Sequence, residues 1–271
     1  MVAGQRKVPT MAEMADKHEL YEESVQNVEE ECLFITTNFQ KIRGRAPLSF
    51  REDFCGTASA CCEWVRKVEG RTAIGVDLDP EVLAWGLQNR VGPLSEEQQQ
   101  RVKLIEDNVL SVQTEKVDVV GAFNFSYFIF QQRQVMKQYF RAVYDSLKDD
   151  GMFFLDAFGG YEAFEEMKEK TKYKKFTYIW EQAVYYPVTG EMTCYIHFKF
   201  PDGSKMKRAF EYTWRLWTLP EILEMLSETG FRNPTVYWEG TDEDDEGDGV
   251  FTPEAKGEAD AGWIAYIVAE K

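Results

Sequence analysis

Apolar residues recur near a helical period through residues 11–41, where Leu20, Val25, Val28, Cys32, Ile35 and Phe39 mark one face of a predicted N-terminal helix. Beyond it, strand-like and helix-like segments alternate. Pro47–Glu52 reads as a strand and Thr57–Val68 as a helix. Arg71–Val76 is a second strand, followed by a helix with Asp79 at its N-cap and Pro80 at its first position. Val102–Glu106 is a short third strand. Val117–Asn124 is almost continuously apolar, as expected of a strand buried on both faces. A helix over about 131–147 ends before Gly151, and Met152–Phe158 makes a fifth strand. Strands separated by helix-length segments predict a parallel sheet with right-handed crossovers.

The pattern then changes. From about 173 to 217 the chain alternates as three β segments, joined at Pro187–Gly190 and at Pro201-Asp202-Gly203-Ser204, whose Asp-Gly is a hairpin signal. Thr218 and Glu221 match a capping box that opens a helix stopping at Gly230. Pro234–Trp238 and Trp263–Ala269 are two final strands. The expected fold is α/β: a Rossmann-like seven-stranded, mostly parallel sheet with helices on both faces. A three-stranded antiparallel insertion follows strand 5. Residues 1–44 are expected to form a helical cap or lid, and 45–271 the main domain.

Composition narrows the function. With 271 residues, 44% hydrophobic and 14% aromatic, the chain can bury a substantial core. No apolar run reaches the length of a membrane helix, and the start MVAGQRKVPT lacks the apolar stretch of a secretory signal. A cytoplasmic location is expected. Cysteines 32, 55, 61, 62 and 194 show no paired spacing, so neither a disulfide framework nor a metal site is expected. The net charge of −16 disfavours a nucleic-acid partner. Seven carboxylates and no base fall in Glu239–Gly249, read as a solvated acidic loop 239–249.

The candidate chemistry lies at the carboxyl ends of the first strands, where open α/β sheets bind ligands. The first strand ends Glu52-Asp53-Phe54-Cys55-Gly56-Thr57-Ala58, a tight small-residue turn opening a helix whose N–H groups suit a carboxylate. The second ends Gly75-Val76-Asp77-Leu78-Asp79-Pro80, placing an acid where it can accept the hydroxyls of a ribose. A dinucleotide fingerprint would need three glycines, and Gly56 alone fits.

Together, REDFCGTA and IGVDLDPEVLAWG resemble the first two motifs of the class I S-adenosylmethionine-dependent methyltransferases. That resemblance implies Glu52 as the acid of the first motif, with Cys55, Gly56 and Thr57 in its turn, while Phe54 and Ala58 replace the outer glycines. It implies Asp77 as the ribose-binding acid and Leu78 beside adenine. In the third motif either Asp107 or Asn108 meets the adenine edge. The fourth motif, with Asn124 and Tyr127, would border methyl donor and acceptor. S-adenosylmethionine is the implied cofactor and S-adenosylhomocysteine its product.

Methyl transfer needs positioning before it needs a catalytic group, and a general base only if the acceptor arrives protonated. Tyr21, Tyr127 and His197 are the catalytic candidates. His18, Tyr21, Tyr178, Trp180, Tyr195, Tyr212, Trp214 and Arg215 are candidates for holding a small-molecule acceptor, the aromatics through cation–π contact and the arginine by pairing a carboxylate. The insertion resembles the acceptor-covering sheet of small-molecule N-methyltransferases. The alternatives are a nucleic-acid or protein methyltransferase and a non-catalytic binding module. Asn124-Phe125-Ser126-Tyr127 lacks the two prolines of the nucleic-acid amino-methyltransferase motif.

Overall fold

The computed structural model describes residues 8–241 and 247–271. They form two compact units: Asn27–Ala163 with Leu216–Lys271, and the described residues up to Gln26 with Phe164–Arg215. Elements are numbered in chain order across both.

In the larger unit the parallel strands are β1 (Ser49–Asp53), β2 (Thr72–Asp77), β3 (Val102–Glu106), β4 (Val117–Ala122) and β5 (Leu147–Gly159). After them β10 (Arg232–Thr241), β11 (Gly247–Pro253) and β12 (Trp263–Glu270) add antiparallel partners, giving the order β11-β10-β12-β5-β4-β1-β2-β3. The helices are α3 (Val28–Arg43), α4 (Ser59–Lys67), α5 (Pro80–Gly86), α6 (Glu96–Gln99), α7 (Arg133–Ser146) and α8 (Leu219–Glu228). Their starts follow from side-chain caps. Asp79 accepts from the N–H groups of Glu81 and Val82 ahead of Pro80, and Glu221 accepts from the N–H and hydroxyl of Thr218.

Every residue of β4 is buried, including Asp118. Its carboxylate is placed by the Leu48 and Ser49 N–H groups, both at 2.9 Å, and by Arg45 and Lys148. Burial pushes this carboxyl upward, but those four donors outweigh it and hold the group well below its ordinary range. The next strand carries a second buried ion pair, Arg51 with Asp53, whose Oδ2 also accepts from the Tyr139 hydroxyl at 3.0 Å. Arg51→Met leaves Asp53 without its cation in the core. It is expected to cost about 3–5 kcal/mol in urea unfolding; a loss below about 1 kcal/mol would refute the assignment.

The smaller unit pairs α1 (Met11–Met14) and α2 (Lys17–Val25) with an antiparallel sheet in the order β6-β7-β8-β9. Its strands are β6 (Met167–Lys172), β7 (Thr177–Tyr186), β8 (Glu191–Lys199) and β9 (Lys205–Arg215). The Met11 N–H donates to Asp202 in the β8–β9 turn at 2.9 Å. Leu20 and Tyr21 of α2 pack on Tyr178, Trp180, Ile196, Phe198 and Phe210.

The structure departs from the sequence expectation in four places. The main sheet has eight strands rather than seven, and the insertion four rather than three. The additions, β11 and β6, are both sheet edges, and their sequences GDGVFTP and MKEKTK carry too few apolar residues to show a strand period. The single helix expected over 11–41 is three helices. Within the 1–44 segment, α1 and α2 belong to the smaller unit, while α3 buries Cys32, Ile35 and Phe39 in the core of the larger one. The ends of the acidic run 239–249 are strand: Thr241 pairs with Gly247, and Glu239 accepts the Gly249 N–H at 3.0 Å. Residues 242–246 of that run lie outside the described residues.

Candidate functional site

Left-handed backbone recurs at every second residue of the turn after β1: Phe54 at φ 59°, Gly56 at 51° and Ala58 at 60°. These are the three positions that glycine fills in the motif the sequence resembles. A side chain in this region costs roughly 1–2 kcal/mol. Packing offsets it here. The Phe54 ring lies 5.6 Å from Tyr139 and 5.9 Å from Phe130, and the Ala58 methyl is fully buried. Loss of two glycines therefore leaves the turn left-handed at all three positions, with the Cys55 N–H donating to the Val76 carbonyl, the Gly56 N–H to Asp77 and the Ala58 N–H to the Cys55 carbonyl.

Two glycines outside the turn make room for it. Gly75 lies under Cys55, where a Cβ would come within 2.8 Å of the thiol sulfur. Gly86 lets α5 approach the turn; a Cβ there would fall 2.4 Å from the Thr57 carbonyl oxygen. Asp77 then joins β2 to the turn. One carboxylate oxygen accepts the Gly56 N–H at 2.8 Å and the other the Asp79 N–H at 3.0 Å. Leu78 follows with 64% of its surface exposed, unusual for a leucine beside a buried strand end. The Asp107 N–H reaches the Asp77 carbonyl at 3.1 Å, which places the end of β3 alongside. Asn108 spends its side-chain oxygen on the Leu110 N–H at 2.9 Å, shaping the turn, whereas Asp107 is exposed.

At the end of β4, Asn124 and Phe125 are also left-handed. Their N–H groups donate to Asp156 of β5 at 2.7 and 2.9 Å. Tyr127 is not on the surface of this site. Its side chain is fully buried, its hydroxyl donates to the Asp156 carbonyl at 2.7 Å, and burial drives its phenol well above the ordinary range. It packs the loop from beneath. Glu52 faces the start of α4, where it accepts from the Cys61 thiol at 3.2 Å.

The larger unit thus brings Glu52, Cys55, Gly56, Thr57, Asp77, Leu78, Asp107 and Asn124 to one end of its parallel strands. Sequence reasoning missed Glu31, Asp156, Gly75 and Gly86 there. Asp156 was signalled by standing inside the apolar run MFFLDAF, and Glu31 by its place three residues after Val28 and four before Ile35 on an apolar stripe.

The acceptor candidates lie in the smaller unit, on opposite faces of its sheet. Cross-strand register sets Tyr178, Trp180, Tyr212 and Trp214 on one face. Tyr212 stacks on Trp214 at 4.5 Å, Tyr21 reaches Phe210 at 4.8 Å, and His18 meets the same ring edge-on at 6.2 Å. Tyr195, His197 and Arg215 take the other face, Arg215 opposite Glu191. His197 has both nitrogens engaged: Nδ1 accepts the Arg208 N–H at 2.9 Å, so Nε2 carries the proton and donates to Glu181 at 2.8 Å. That network removes the lone pair a general base would use.

No family model matches the sequence, and no curated protein matches it. Solved structures do. An S-adenosylmethionine-dependent methyltransferase of Clostridium acetobutylicum superposes with a TM-score of 0.70 at 16% identity, over 93% of this chain and 96% of its own. An amino pentose methyltransferase of Micromonospora echinaspora, solved with S-adenosylmethionine, gives 0.66 at 12% identity over 93% and 95%. A sugar N-methyltransferase of Streptoalloteichus gives 0.63 at 14% identity over 100% and 98%. The chain has the Rossmann-like fold of these methyltransferases.

Proposed function

We propose that this chain transfers the methyl group of S-adenosylmethionine to nitrogen or oxygen of a small-molecule acceptor by in-line displacement, releasing S-adenosylhomocysteine. The observation that carries the reading is the turn at Phe54, Gly56 and Ala58, left-handed at all three positions and tied through the Gly56 N–H to Asp77. The turn holds this shape despite the strain of two side chains. The surroundings fit the donor. Glu52 provides an acid, the tight turn at Cys55, Gly56 and Thr57 a close backbone approach for the methionyl end, and Asp77 has lone pairs left for ribose hydroxyls. Exposed Leu78 offers a flat apolar flank for adenine, and exposed Asp107 an acceptor at its edge. Asn124 borders the reacting end.

When bound, the donor supplies an electrophilic methyl on a sulfonium. The chain's residues hold the reacting centres in line and exclude water, which reduces the entropic part of the barrier. Asp156 fixes the Asn124–Phe125 backbone for that purpose. The acceptor reading draws on the aromatic face of Tyr21, Tyr178, Trp180, Tyr212 and Trp214, a surface suited to a cationic amine. An amino pentose methyltransferase and a sugar N-methyltransferase among the structural neighbours favour the same class. Among the described residues no helix is long and apolar enough to cross a membrane. With a charge of −16, a cytoplasmic small molecule fits better than a polyanion.

Titration calorimetry with S-adenosylmethionine and S-adenosylhomocysteine should show both binding to the purified chain. Product formation should then appear in pools of amines before carboxylates or phenols. Folded protein that binds neither compound would sink the reading, and methylation confined to protein or RNA would overturn the acceptor class.

A further inference from the structure

Within the smaller unit, one side of the sheet is covered and the other is open. Along β8 every second residue from Met192 to Phe198 is buried, and the intervening ones are not. Ile196 and Phe198 of the buried set pack with Leu20 and Tyr21 of α2. The intervening set, with its neighbours on the other strands, makes the outer face.

Cross-strand register sorts the charges of that face into rows. Lys172 of β6, Thr177 of β7, Lys199 of β8 and Lys205 of β9 stand opposite one another across all four strands. The next row holds Lys170, Ile179 and His197, and beside His197 the irregular stretch of β9 carries Lys207 and Arg208. All six of these cations are exposed, and neither row holds an acid. Acids begin in the third row, where Glu181 accepts from Lys168 at 3.0 Å and from His197 at 2.8 Å, and where Glu211 opposes Tyr195. Asp202, in the turn beyond the first row, is spent on the Met11 N–H and on Ser204. Among the described residues no ion pair reaches the six cations.

Such an arrangement costs stability. Like charges directly opposed across antiparallel strands repel, and Lys199 faces Lys205 with no acid in either row. Lysine on an edge strand deters unwanted strand pairing, which accounts for β6 and β9. It does not account for Lys199, which stands on an inner strand. A chain of net charge −16 has no need of these cations for solubility. An anionic partner would relieve the repulsion.

We propose that the outer face of the β6–β9 sheet is a docking surface for an acidic segment of a partner protein, a run of Asp and Glu laid across the two lysine rows. Charge complementarity selects an anion, and the face itself selects among anions. Strands about 4.8 Å apart make each row about 14 Å long, which an extended segment of a few residues spans. A single-stranded nucleic acid would stack its bases on open rings. Here the Arg208 guanidinium lies over the Tyr195 ring at 4.3 Å, and His197 is tied at both nitrogens. A long polyanion or an anionic membrane would also meet the repulsive field of the whole chain, whereas a short segment within a Debye length of the face meets mainly the lysines. Five of the six cations are lysines, point charges on flexible stems that suit carboxylates of variable placement. The inference concerns the side of the sheet opposite the aromatic face and does not rest on the donor reading.

Fluorescence anisotropy of labelled octaglutamate with the full chain tests the proposal. Binding is expected at about 0.1 M salt and should weaken at least about tenfold by about 1 M. Lys199→Glu turns the like-charge pair with Lys205 into an opposite-charge one, so the melting temperature should hold or rise while affinity falls about fivefold. Lys205→Glu should match it. Lys103→Glu, at an exposed position of β3 in the larger unit, changes the net charge equally and should leave affinity within about twofold of wild type. No binding at about 0.1 M salt would overturn the proposal. So would folded Lys199→Glu and Lys205→Glu that bind like wild type, or an equal loss in Lys103→Glu. Oligothymidylate or phosphatidylserine vesicles bound more tightly than octaglutamate would overturn it in favour of nucleic acid or membrane. Self-association of the chain that Lys199→Glu abolishes would assign the face to a second copy instead.

Discussion

Asp77→Asn is expected to weaken S-adenosylmethionine binding by about 100-fold, nearly as much as Asp77→Ala. The near-equality follows from geometry. Both oxygens of the Asp77 carboxylate already accept N–H groups, from Gly56 at 2.8 Å and Asp79 at 3.0 Å. An asparagine keeps one oxygen and turns its NH2 toward the remaining N–H, donor against donor. The substitution thus releases either the first turn at Gly56 or the cap region of α5. It also removes a charged acceptor from the ribose side of the site. Hydrogen bonds to charged groups contribute about 1.5–3 kcal/mol each. Losing the equivalent of two gives about 3 kcal/mol, or roughly 100-fold in affinity. Calorimetry on folded variants checks it. Asp77→Asn within threefold of wild type would show that Asp77 neither shapes the turn nor meets the donor.

The residues that make this prediction possible were unequally legible in the sequence. Strands β4 and β5 announced themselves because burial on both faces demands apolar runs, and Val102–Glu106, whose three apolar residues suffice for a strand pattern, falls on the edge strand β3 residue for residue. Caps at Asp79 and Thr218 were equally plain, since local hydrogen bonding sets them. The edge strands β6 and β11 were not legible. A strand with one neighbour and little buried surface need not carry a hydrophobic period, and MKEKTK does not. The site shows the same division. Glu52, Gly56 and Asp77 occupy positions fixed by the turn's own chain order. Glu31 and Asp156 are buried because of what packs over α3 and β5, and that burial is tertiary. Their only trace in the sequence is a carboxylate standing where the pattern calls for an apolar side chain. The smaller unit divided its candidates for a related reason. Period-two alternation correctly pairs Tyr178 with Trp180 and Tyr195 with His197, but only the cross-strand register reveals that the two pairs face opposite ways.

Gly86→Ala sets two physical effects against each other, and the structure decides between them. Helix propensity favours alanine over glycine in a helix by about 1 kcal/mol, and Gly86 is the last residue of α5. On sequence grounds alone the substitution would stabilise the chain. A Cβ at this position, however, would sit 2.4 Å from the Thr57 oxygen, 2.8 Å from its carbonyl carbon and 3.0 Å from its Cα. All three are backbone atoms, and Thr57 lies between left-handed Gly56 and Ala58 with little freedom to move. Either α5 retreats or the turn opens, at a cost of about 1–3 kcal/mol for overpacking. The clash wins. The melting temperature should fall rather than rise, and S-adenosylmethionine affinity should drop by at least about tenfold, because the displaced atoms belong to the first turn. Gly86→Ala with a higher melting temperature and unchanged affinity would mean that α5 does not press on the turn. The second motif would then contribute Asp77 and Leu78 to the site without also bracing its floor.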